Sequence, residues 1–162
     1  MNKSRSKYTV ESLTPMFRKA ATLRNEMLAS GFTDNGGAIH SAERILDILG
    51  QRLNYPNLRH INNLRSDPDA EFSTEALEAH SKGEKVLIEH VSPLRELTRR
   101  AIAEIDNKAT DTEFLDFIRR NYQLVLLTPD ETTRLNRINR SKMEPDRLKN
   151  AGIQVVALHK KR

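Results

Sequence analysis

The sequence predicts an α+β chain that is mostly helical, and three observations carry that reading. Apolar residues recur with the 3.6-residue period of a helix through most of the chain. Two short runs of branched and aliphatic residues, 85–91 and 122–127, break that period, and both lie in the second half. The 162 residues include no Trp and only 5% aromatics, so the core has to be built from Leu, Ile, Val, Ala and Met. The pattern divides the chain into a helical N-terminal region, 1–81, and a core, 82–162, in which two helices separate two strands and a basic tail follows.

Taken in order, Thr14 is placed to cap a first helix with Pro15 at its first position, and Gly31 ends it. Phe17, Ala20, Ala21, Arg24, Met27 and Leu28 supply its periodic positions. The run Thr33-Asp34-Asn35-Gly36-Gly37 reads as a turn. A second helix carries Ile39, Ala42, Ile45, Leu46, Leu49 and Leu53 on one side and stops at Asn54-Tyr55-Pro56-Asn57. Residues 58–73 lack periodicity and read as a loop. A short helix over 74–81 is closed by Gly83, and the strand 85–91 follows. Ser92-Pro93 opens a helix with Leu94, Leu97, Ala101, Ile102 and Ile105 as its stripe. Thr110 and Glu113 have capping-box spacing and open another, with Phe114, Leu115, Phe117 and Ile118. After the strand 122–127, Thr128 and Glu131 repeat the capping box and start a helix carrying Arg134 to Ser141, limited by Pro145. Residues 153–158 read as a third, edge strand.

Composition excludes several function classes. No stretch approaches the ~18 apolar residues of a spanning helix, and the mean hydropathy of −0.65 is that of a soluble chain. The basic start, Met1 to Lys7, is followed by no apolar segment, which argues against a secretory signal. With zero Cys there are no disulfides, no thiolate zinc sites and no cysteine nucleophile, which fits a reducing cytoplasm. The formal charge is +5, and residues 129–162 alone hold nine Lys or Arg against four acids. A basic balance of this kind points to a polyanionic partner, nucleic acid first, with no membrane partner.

The five histidines are the natural bases near neutral pH. His40 and His80 lie on helices among charged neighbours and read as surface residues, while His60 and His159 have no partner in sequence. His90 closes a strand, directly follows a carboxylate, and precedes Val91-Ser92-Pro93 and a helix. On the later helix, a 100° step sets Leu135 and Ile138 beside Glu131 on the core side, Thr132, Asn136 and Asn139 on the shoulder, and Arg134, Arg137 and Arg140 outward.

Glu89-His90-Val91-Ser92-Pro93 resembles the first motif of the HNH, or His-Me finger, nucleases, and Leu126-Leu127-Thr128 with the following helix resembles their second strand and helix. The resemblance covers about residues 85–143. It implies a ββα metal-finger-like core and a small endonuclease that hydrolyses nucleic-acid phosphodiesters, DNA above all, of the phage or defence-associated kind. It further implies Mg2+ or another divalent cation held by Glu89 with Asn136 or Asn139, and His90 as general base for water. Phosphate contacts are assigned to Arg134, Arg137, Arg140, Lys142, Lys160, Lys161 and Arg162. Two other classes stay open. One is a non-enzymatic nucleic-acid-binding or regulatory protein, including a catalytically inactive relative of the same fold. The other is an interaction module that dimerises through its N-terminal helices.

Overall fold

The computed structural model describes residues 8–33 and 36–156. The expectation is met: the chain is α+β and mostly helical, with one four-stranded sheet. It forms two compact units that interleave along the sequence, with one boundary inside a helix. The first comprises the chain up to Pro56 with Thr98–Asn121, and the second comprises Asn57–Leu97 with the chain from Tyr122 onward.

In the first unit α1 (Val10–Ala29) packs on α2 (Gly37–Asn54). The start of α1 differs from the sequence reading. Thr9 is the N-cap, and its side chain and that of Ser12 satisfy each other's backbone N–H groups. Thr14 lies inside the helix, where its hydroxyl donates to Val10 O (2.7 Å), and Pro15 follows it there. A reciprocal cap meets two of the helix's orphan donors, whereas a cap at Thr14 would strand the apolar Leu13 outside the helix. Gly31 ends α1 as expected, at φ +89°, where a side chain is strained. Phe17 stacks on Phe114 at 4.9 Å between ring centroids, inside a core that includes Ile39, Leu46, Leu49, Ile102 and Ile118. Phe114 and Ile118 belong to α5 (Asp111–Asn121), opened by the Thr110–Glu113 cap; α4 (Leu94–Asp106) precedes it. Tyr8, Met16, Leu23 and Phe32 remain exposed.

In the second unit the sheet order is β2-β3-β1-β4, with β1 at Phe72–Ser73, β2 at Leu87–His90, β3 at Leu124–Leu127 and β4 at Val155–Val156. β2 and β3 are antiparallel, β1 is parallel to β3, and β4 is antiparallel to β1. The region expected as a loop thus contains a 3-10 turn, Ile61–Ser66, and the strand β1. Two residues are too few to show an alternating pattern, and Phe72 and Ser73 are both buried. The short helix α3 (Thr74–Ser81) has the expected limits, with Ser73 as its cap.

The helix after β3, α6 (Pro129–Ile138), begins at the expected capping box but ends three residues before Ser141. Asn139 is its C-cap, and a short α7 (Arg147–Asn150) follows the turn. Because α6 stops there, Ile138 is 55% exposed and is not the core residue the helical phase suggested, whereas Leu135 is fully buried. Leu135 joins Val125, Leu127, Ala151 and Ile153 in a cluster on one face of the sheet. No helix among the described residues is long and apolar enough to cross a membrane.

Candidate functional site

The antiparallel register decides where each side chain of β2 goes. Residues directly opposite share a face, and neighbours along a strand alternate. Glu89 is opposite Val125 and Leu87 is opposite Leu127, so both lie on the face that carries the Leu135 cluster. His90 is opposite Leu124 and Ile88 is opposite Leu126, on the other face. The two residues of the motif are adjacent in sequence and directed to opposite sides of the sheet.

On the α6 side, Glu89 is half-buried. Burial pushes its carboxyl above the ordinary range; the charges of His90 and Arg147 and the Thr132 hydroxyl work against that rise. The Thr132 hydroxyl approaches from α6 without reaching full hydrogen-bond geometry, and its oxygen is buried without a partner. The residue of α6 that meets Glu89 is therefore Thr132, one turn before Asn136. Asn136 itself is exposed. Asn139 has both ends of its amide engaged: Nδ2 donates to Lys142 O (3.0 Å), and Oδ1 accepts from Lys142 N (2.8 Å). It shapes the turn after α6.

Arg147 is the residue the sequence did not single out. It is only 3% exposed. Its Nε donates to Asn139 O (3.0 Å), and its Nη1 donates to His90 O (3.0 Å) and Val91 O (3.1 Å). The guanidinium thus ties the end of α6 to the end of β2 and places a buried positive charge near Glu89. Burial lowers the Arg147 pKa from its usual range, and Glu89 opposes that change. A local sequence pattern carries no sign of this clamp, since its partners are backbone carbonyls about eight and 57 positions away.

On the opposite face, the His90 ring meets Tyr122 edge to face, with centroids 5.5 Å apart. Glu131 is 1% exposed and behaves as a cap: Oε1 accepts from Thr128 N (3.0 Å) and from the Ser73 hydroxyl (2.5 Å). That same Ser73 oxygen caps α3 by accepting from Ala76 N (2.9 Å), so one buried network joins β1, α3 and α6.

The basic residues separate into two groups. Arg134 donates to Ala151 O (3.3 Å) and is partly buried, so it braces α6 rather than facing outward. Arg137, Arg140 and Lys142 are exposed on the last turn of α6 and the turn beyond. Lys160, Lys161 and Arg162 lie outside the described residues.

The donor set suits a divalent cation poorly. Glu89 supplies one carboxylate and Thr132 one hydroxyl, while the Arg147 guanidinium already provides a positive charge beside them. Hard cations need several oxygen ligands, and Asn139 Oδ1 is already engaged by Lys142 N in the turn. Among the described residues, no group of three or more His, Asp or Glu side chains is arranged to hold a metal. In comparisons with known proteins, the chain matches no family model, no curated protein and no solved structure.

Proposed function

We propose that the chain binds nucleic acid without cleaving it, using the α6 end and the turn after it as a phosphate-contacting surface in a reducing cytoplasm. One observation carries this reading: the cations of this segment are sorted. Arg134 and Arg147 are consumed by backbone carbonyls, and Arg137, Arg140 and Lys142 are left exposed within six positions of one another. Cations that brace a fold are held by internal acceptors; cations that meet phosphates stand in solvent on one surface. The test is a salt titration of duplex DNA binding. Replacing Arg137, Arg140 and Lys142 together by Gln should weaken binding for every sequence alike and reduce the salt slope by roughly 0.9 per lost phosphate contact. An unchanged slope sinks the proposal.

A second reading, metal-dependent cleavage of the His-Me finger kind, is favoured by a separate observation. Antiparallel β2 and β3 are followed by α6 against β2, and Glu89 faces the first half of that helix beside an unpartnered hydroxyl. Plasmid DNA nicked with Mg2+ or Mn2+, protected by EDTA, and left intact by His90→Ala would favour this reading over the first.

A further inference from the structure

Among the described residues, the second unit exposes a single large apolar side chain, Ile138, more than half of it in solvent. A lone exposed aliphatic residue is ordinary on a protein surface; its surroundings here are not. Arg137 precedes it, and Arg140 and Lys142 follow within four positions, all exposed. The exposed acids Asp130, in the first turn of α6, and Glu144 and Asp146, beyond Lys142, bound the patch along the chain. The backbone around Ile138 is fixed. Asn139 N donates to Leu135 O (2.8 Å), the Asn139 amide holds both backbone groups of Lys142, and Arg147 Nε donates to Asn139 O (3.0 Å). The same guanidinium is anchored on His90 O and Val91 O, so the turn is pinned to β2. Its charge at the C-cap carbonyl also offsets the negative end of α6, which would otherwise repel phosphate. A β-branched side chain has few χ1 choices, so Ile138 is presented at small entropic cost.

Resting on the reading that this segment contacts phosphate, we propose that Ile138 is an apolar wedge for the minor groove of double-stranded DNA. It enters between two base pairs and unstacks them, while Arg137, Arg140 and Lys142 hold the flanking phosphates. The surroundings select this partner. Proteins that grip single strands stack bases on aromatic rings, and the Phe and Tyr side chains described in this unit, Phe72 and Tyr122, are buried. An anionic membrane takes a whole apolar helix face, and here one side chain stands among the cations. Asp130 lies seven residues before Arg137, on the same stripe of α6. Laid lengthwise in the major groove, that stripe would bring a carboxylate against phosphate. A helix end with one aliphatic tip suits the minor groove, about 6 Å wide.

Ile138→Ser, Ile138→Leu and the wild type are titrated onto a short DNA duplex with a donor and an acceptor fluorophore at its two ends. The titrations span a salt series, and circular dichroism checks folding. The wild type should bring the duplex ends closer as it binds. Ile138→Ser should bind about tenfold more weakly at every salt concentration, the loss expected when one aliphatic side chain is no longer buried. Its salt slope should match the wild type's, because no phosphate contact is removed. It should also leave the duplex straight, and Ile138→Leu should restore most of both effects. An Ile138→Ser chain that binds and bends DNA like the wild type overturns the wedge, as does a wild-type complex whose duplex stays straight. Equal dependence on Ile138 for single-stranded DNA or for phosphatidylserine vesicles overturns the choice of partner. The phosphate reading fails by a different result, an unchanged salt slope when Arg137, Arg140 and Lys142 are replaced, and the wedge falls with it.

Discussion

Glu131 and Glu89 are two carboxylates of the same structural unit, and they are held in opposite ways. Glu131 sits at the third position of α6 and is almost fully buried. Two donors converge on one of its oxygens. Glu89 sits on an edge strand, half-buried, and its carboxyl is pushed upward by burial, with only partial compensation from His90, Arg147 and Thr132. Complete burial with complete satisfaction marks a structural carboxylate, whereas partial burial with incomplete compensation leaves reactivity and charge in play. The β3–α6 junction is a joint, and the β2 edge holds a carboxyl whose burial is only partly offset.

Four measurements test that difference, beginning with the largest effect. Leu135→Ala removes a fully buried side chain from the cluster under α6 and should cost about 2–5 kcal/mol in urea unfolding. A loss below that range would mean that α6 is only loosely seated. Glu131→Ala strands the buried Ser73 hydroxyl and the Thr128 N–H, each worth about 1–3 kcal/mol when unpaired. Glu131→Gln keeps an acceptor oxygen and should recover part of that loss. If both variants are as stable as the wild type, Glu131 is not the joint described above.

Glu89→Gln should behave differently, and its signature is pH dependence. The native carboxyl holds its proton more tightly than the ordinary value near 4.5. As pH rises from that value through the raised native one, the folded state carries more protons than the unfolded, so the wild type loses stability. The cost is fully present above that window and absent below it. Glu89→Gln should remove this fall, so the stability difference between variant and wild type should shift in the variant's favour as pH rises. A difference that stays flat, or moves the other way, would show that the neighbouring positive charges outweigh burial.

The smallest expected change is in stability for Arg137→Glu. Its side chain is exposed, and such substitutions usually stay within about 0.5 kcal/mol. Binding to DNA should fall while the unfolding midpoint holds, and loss of both together would place Arg137 in the fold.

Much of the secondary structure was legible because its signals are local. The pairs Thr128–Glu131 and Thr110–Glu113 marked helix starts within one turn of chain, and Gly83 marked the end of α3. The start of α1 was misplaced because the Thr-Pro pair at 14–15 is a common start signal, while Ser12 is a less familiar partner for a cap at Thr9. The basic α6 face was legible as a charge pattern, but its division into bracing Arg134 and exposed Arg137 was not. That division depends on where Ala151 O lies.

The sequence by itself determined the α+β class, the two-helix insertion between β2 and β3, and the choice of Glu89, His90 and the α6 cations as the residues worth examining. These follow from periodicity, caps and charge, which act over a few residues. Only the tertiary structure decided that Glu89 and His90 face opposite sides of the sheet and that Thr132 rather than Asn136 meets Glu89. It also decided that Asn139 closes a turn and that Arg147 ties the end of β2 to the end of α6. Register, burial and long-range hydrogen bonds are set by which distant segments pack together, and a strand as short as Phe72–Ser73 acquires its meaning only from the neighbours it pairs with.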